Sequence, residues 1–151
     1  MTTATRIATR TATTTWSGTL ESGTGTFGES SSGVLDGREV TWGSRTEAPA
    51  GRTSPEELAA AAHSACFSMA LALRLGENQT PPGLLEVSAD VTLAEADGLP
   101  TITTSELTVR AEVAGLDADG FDRVVEEAKA LCPVSRLFAG AEIIVRAELV
   151  G

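Results

Sequence analysis

"SPEELAAAAHSACFSMALALRL", residues 54–75, reads as a single helix, and the rest of the chain must be arranged around it. Ser54 suits the N-cap, Pro55 the first helical position, and Glu57, three residues after the cap, completes a capping box. The helix is expected to run from residue 55 to about 75, roughly 30 Å at 1.5 Å per residue. That length crosses a whole small domain. Alanine fills most of its first half, and Cys66 follows just before Phe67. Small side chains there allow another helix close approach.

Upstream, residues 11–20, 23–30 and 38–43 ("TATTTWSGTL", "GTGTFGES", "REVTWG") read as short strands punctuated by glycine. Residues 43–53, "GSRTEAPAGRT", carry no period and are expected to form a loop leading into the helix. Downstream, "GENQTPPG" makes a turn, and "LLEVSADVTLAEA", "ITTSELTVRAEVAG" and "AEIIVRAELV" are strand candidates. In the last, Ile143, Val145, Ala147 and Leu149 share one face, and Glu142, Arg146 and Glu148 the other. Between the last two strands Phe121, Val124, Val125, Ala128 and Leu131 recur at helical spacing, and Pro133 predicts a bend or restart of that second helix. The order β β β α β β α β, with tight early turns, predicts an α+β fold with antiparallel pairing. Residues 1–10 are expected to be a flexible tail and 11–151 one domain.

The balance of 11 basic against 21 acidic residues, a net charge of −10, argues against nucleic acid or an anionic membrane as partner. No apolar run is expected to reach the roughly 18 residues of a membrane span. The Thr- and Arg-containing N-terminus lacks the hydrophobic core of a secretory signal; it could pass for an organelle presequence, but its β-branched residues run directly towards a first strand. A cytoplasmic location is therefore expected, where two isolated cysteines stay thiols or act as redox catalysts.

Taken singly, Cys66 and Cys132 each read first as a small buried hydrophobe. Two features point further: Cys132 directly precedes Pro133 at a helix break, and the alanines around Cys66 admit a neighbouring helix. The two thiols could meet at that crossing. His63, one turn before Cys66, could form a Cys–His pair or be bonded within the core. A single histidine and the lack of a Cys-x-x-Cys spacing speak against a metal site, and no cofactor is expected. Glu56 and Glu57 read locally as first-turn dipole and cap chemistry.

Residues 54–73, together with "CPVS" at 132–135 and "GTFGESSSGVL" at 25–35, resemble the OsmC/Ohr family of thiol peroxidases, and its OsmC branch in particular. The likeness runs from about Trp16 to Val150. It implies an OsmC-like fold with antiparallel sheets around two central helices, in an intertwined homodimer. It also implies reduction of organic hydroperoxides under oxidative or osmotic stress. Cys66 takes the reactive position, Cys132 the resolving one, Glu56 that of the supporting glutamate, and Arg45 that of the arginine, with Arg52 as the alternative. The implied reductant is a dithiol of small or lipoyl type. A non-catalytic redox-signalling or binding protein on the same fold, or a Cys–His hydrolase, would be the competing functions.

Glu56 precedes Cys66 by ten residues, about 15 Å of rise on a straight helix. Either the first turn is offset from the main helix, or the supporting residues reach a cysteine of the partner subunit.

Overall fold

A computed structural model describes residues 3–151, which form two compact units, one ending at Pro55 and one spanning Glu56–Gly151. In the first, β1 (Thr13–Ser17), β2 (Thr24–Gly28) and β3 (Glu39–Val40) make an antiparallel sheet in sequential order. Gly25 is required there: a Cβ would lie 2.9 Å from both Trp16 Cε3 and Val40 Cγ1. Residues 3–10 are exposed and belong to no helix or strand, whereas Met1 and Thr2 lie outside the described residues.

The third expected strand is cut short, and the expected loop begins as helix α1 (Trp42–Thr46). Its cause is a reciprocal cap: Ser44 N donates to Thr41 Oγ1 and Thr41 N donates to Ser44 Oγ, each at 2.9 Å. Ser44 Oγ also donates to the Thr53 carbonyl at 2.8 Å, fastening this one-turn helix to the far end of its loop.

Helix α2 (Pro55–Glu77) starts at the expected proline and is continuous past Cys66. It is followed by β4 (Leu84–Ala96), β5 (Leu99–Glu112), α3 (Ala118–Leu131), α4 (Pro133–Leu137) and β6 (Glu142–Leu149). Asp97 and Gly98, both at positive φ (52° and 76°), form the two-residue turn of the β4–β5 hairpin. Asp117 caps α3 by accepting from Gly120 N at 2.8 Å. Pro133 splits the second expected helix into α3 and α4.

The second sheet has the order β4-β5-β6, and β6 runs parallel to β5, where antiparallel pairing was expected. Period-two alternation reveals a strand's faces but not its direction. The intervening helices supply the long crossover that a parallel neighbour needs. Fully buried residues Phe67, Leu71 and Leu75 of α2, Leu107 and Ala111 of β5 and Ala128 of α3 belong to one core, with Ile143, Val145, Ala147 and Leu149 of β6 packed against it.

One expectation about membranes needs correction. An 18-residue window of α2 reaches a mean hydropathy of 1.4 with few charges, so the helix is long and apolar enough to cross a membrane. Alanine raises that average, while the larger residues Phe67, Leu71 and Leu75 are committed to the protein core.

Leu107 is fully buried on the central strand of its sheet. Leu107→Ala should therefore destabilise the protein by about 2–5 kcal/mol. Urea unfolding followed by circular dichroism measures it; a loss well under 1 kcal/mol would contradict a close-packed core at β5.

Candidate active site

Pro133 determines where the second cysteine stands. A proline disfavours helical geometry in its predecessor, and Cys132 adopts φ −58°, ψ 117°, ending α3 and preceding the first turn of α4. Its N–H still reaches the Ala128 carbonyl at 2.8 Å, so the backbone turns without losing that bond. Cys132 is fully buried; Cys66, on α2 beside buried Phe67, is half-buried. Both are free thiols, and the Cys132 side chain lies close enough to Cys66 to act on its titration. The Val134 backbone N–H donates to the Cys66 sulfur.

Burial pushes the Cys66 thiol above its ordinary pKa of 9.0; the Val134 N–H opposes that rise, and Cys132 adds to it. A thiol so placed is protonated at neutral pH until a further positive group acts on it. Beside it lies a recess of about 300 Å³ lined by Cys66, Met69, Ala70, Leu73, Leu131 and Pro133. Its walls are almost wholly hydrocarbon and sulfur. The cleft offers an apolar tail a surface ending at the thiol.

His63 is fully buried one turn before Cys66, and both its ring nitrogens are engaged. Nδ1 is 2.6 Å from Ser105 Oγ on β5, and Nε2 is 2.8 Å from Ser135 Oγ on α4. Phe138 meets the imidazole edge-on, with ring centroids 5.2 Å apart and planes at 83°. Neither nitrogen is left to act as base for Cys66, which removes the geometry a Cys–His hydrolase requires.

The other expected site residues are distributed along the chain. Glu56 is buried in the first turn of the same continuous helix as Cys66, so an offset first turn does not bring them together. Arg45 stands on α1 in the first unit, its guanidinium carbon 6.0 Å from the Trp42 ring centroid. Arg52 makes a long, half-exposed ion pair with Glu39 at 3.8 Å. Among the described residues no cluster of three or more His, Cys, Asp or Glu side chains could hold a metal ion.

The model of the OsmC-like protein family matches residues 48–148. The chain belongs to the OsmC family. This OsmC-family protein is 42% identical over 134 residues to Peroxiredoxin OsmC of Escherichia coli K12, covering 89% of this chain and 92% of that one. The crystal structure of the organic hydroperoxide resistance protein OhrB of Bacillus subtilis superposes with a TM-score of 0.65 at 30% identity, covering 93% of this chain and 98% of that one. An organic hydroperoxide resistance protein from Elizabethkingia anophelis gives 0.67 at 26% identity, over 98% and 99% of the two chains.

The two serines around His63 went unread, since each lies more than forty residues away in sequence. The only signal was a histidine on a helix face that also buries phenylalanine and leucine, a position that demands hydrogen-bond partners.

His63 is the only histidine of this OsmC-family protein, and burial lowers its pKa below the ordinary 6.5. As pH falls through that ordinary value, the unfolded chain binds a proton that the folded chain does not. The stabilising contribution is therefore complete above about pH 6.5 and is lost as pH falls below it. His63→Gln should flatten the slope of stability against pH between about 5 and 6.5. Urea midpoints across that range measure it, and an unchanged slope would mean that His63 titrates as in an open chain.

Proposed function

We propose that this protein reduces organic hydroperoxides to alcohols through a sulfenic acid on Cys66 and a Cys66–Cys132 disulfide. The observation that carries this reading is the contact of two free thiols at the edge of an apolar recess. At the coarser level the protein is a peroxidase of the oxidoreductase class, as the names of its OsmC and OhrB relatives support.

The Cys66 thiolate attacks one oxygen of the peroxide; an S–O bond forms as the O–O bond breaks. The departing alkoxide takes up a proton and leaves as alcohol. Sulfur has then been oxidised by two electrons and the peroxide reduced by two. Cys132 attacks the Cys66 sulfenic acid, forming the S–S bond and releasing water, before further oxygen can be added. An external dithiol, small or lipoyl-type, restores both thiols by exchange. A reducing cytoplasm is the compartment that suits this cycle.

Arg45 supplies the positive charge that offsets burial of Cys66, and Glu56 holds the guanidinium plane. Because α2 is continuous, Glu56 lies about 15 Å along the axis from its own Cys66. The supporting pair therefore serves Cys66 of the partner in a homodimer. Ala61, Ala65, Met69 and Leu73 favour that assembly: they repeat every four residues as an exposed apolar stripe on α2 that a second copy would cover. An alkyl tail in the recess gains about 0.8 kcal/mol per buried CH₂, which favours alkyl hydroperoxides over hydrogen peroxide.

Turnover of cumene hydroperoxide with dihydrolipoamide or dithiothreitol tests the cycle. Cys66→Ser should abolish it in a folded protein, and Cys132→Ser should permit one oxidation and then accumulate sulfenic or over-oxidised Cys66. Sustained turnover by either variant would remove the role given to that cysteine. No turnover by the unaltered protein would favour a non-catalytic redox role.

Arg45→Met should slow the first oxidation at neutral pH by about tenfold for each unit that the Cys66 pKa rises. If Arg52→Met slows it instead, the cation has been misassigned. A verified heterodimer of Cys66→Ser and Arg45→Met chains should regain one complete site; activity no higher than that of the parent variants would place each whole site within one chain.

A further inference from the structure

His63 and Cys66 stand one turn apart on α2, and their counterparts at the start of α4 are spaced alike. His63 precedes Cys66 by three residues, and Ser135 follows Cys132 by three. The hydrogen bond between His63 and Ser135 thus runs beside the thiol–thiol contact as a second rung between the same two segments. Ser105 holds the opposite edge of the imidazole and anchors it to β5.

We propose that His63 is a positioning residue for disulfide closure: fixed by Ser105, it holds Ser135 and hence keeps Cys132 within reach of the oxidised Cys66. The proposal rests on the peroxidase cycle above and adds the residue that sets the rate of its second step. Segment α4 needs such a tether. It is five residues long, too short to be a stable helix by itself, and Cys132 at its start provides no side-chain cap. Leu137 is largely exposed, and Phe138, which closes that end, packs on the His63 ring itself, so this end too is held through the imidazole. Val134 packs on the core and donates its N–H to Cys66, but that contact is with the sulfur that must react. The Ser135–His63 bond touches neither sulfur. It can persist while the S–O bond breaks and the S–S bond forms.

The geometry also separates the two sides of the imidazole. In side-chain reach, an asparagine amide corresponds to Nδ1 and a glutamine amide to Nε2. His63→Gln should keep the Ser135 tether, and His63→Asn only the Ser105 anchor. Both retain a polar group in the buried site, which an alanine would not.

The test uses the full-length protein and one equivalent of cumene hydroperoxide, with acid quench, thiol labelling and intact mass to time each step separately. Loss of the Cys66 thiol should stay within about twofold of the unaltered protein in His63→Gln, His63→Asn and Ser135→Ala, since none removes a group at the peroxide. Disulfide closure should be about tenfold slower in His63→Asn and Ser135→Ala than in the unaltered protein, and largely restored in His63→Gln. Under excess peroxide the slow variants should accumulate Cys66 sulfinic acid.

Closure at the unaltered rate in His63→Asn, equal closure rates in the Asn and Gln variants, or equal slowing of both steps would each overturn the proposal. A variant that fails to fold on its own leaves the other two to decide. Failure of the unaltered protein to lose its Cys66 thiol would instead overturn the peroxidase reading, and the proposal with it.

Discussion

Burial of the Phe67, Leu71 and Leu75 stripe is the constraint on which the second unit depends. These side chains recur every four residues, so α2 must lay one face into the core that holds Leu107 and Ala111 of β5. That fixes the rotation of the helix. Cys66, adjacent to Phe67, then falls at the margin between buried and exposed faces, and His63, one turn earlier, is carried fully inside. Packing thus places the Cys66 thiol and the His63 imidazole at different depths on one rigid element.

The site also sets two effects against each other. A half-buried sulfur is shielded from water, which suits the sulfenic acid of the proposed cycle, but the same burial disfavours the thiolate with which that cycle begins. The Val134 N–H offsets part of that cost, and its availability follows from the proline beside it. Pro133 has no amide hydrogen and turns Cys132 out of helical geometry, so the next residue presents the first donor of α4. One residue choice thereby places the second thiol and a hydrogen bond to the first.

Much of this was legible in the chain because it rests on local rules. Ser54–Pro55 marked the start of α2, Pro133 the break after α3, and the alternation from Ile143 to Leu149 the buried face of β6. What escaped reading depends on distant partners or on cues too short to carry weight. Helix α1 hangs on one reciprocal cap between Thr41 and Ser44, inside a stretch rich in glycine and proline. The direction of β6 is decided by the crossover before it, and the serines around His63 come from a strand and a helix far along the chain. The two cysteines were recognisable as a pair; the imidazole rung beside them was not.

The parallel pairing of β6 with β5 imposes an order on synthesis. Thr104 pairs with Glu142, so the contact closes only after the whole α3–α4 crossover has been made. A chain emerging from the ribosome holds β4 and β5 as a hairpin while the third strand is still missing, and both cysteines leave the tunnel before β6 does. During that interval the core beneath Leu107 lacks the cover of Ile143 and Val145. The core of this unit is therefore the last part of the fold to close, because its central strand gains its second neighbour only when the chain has been made through Leu149.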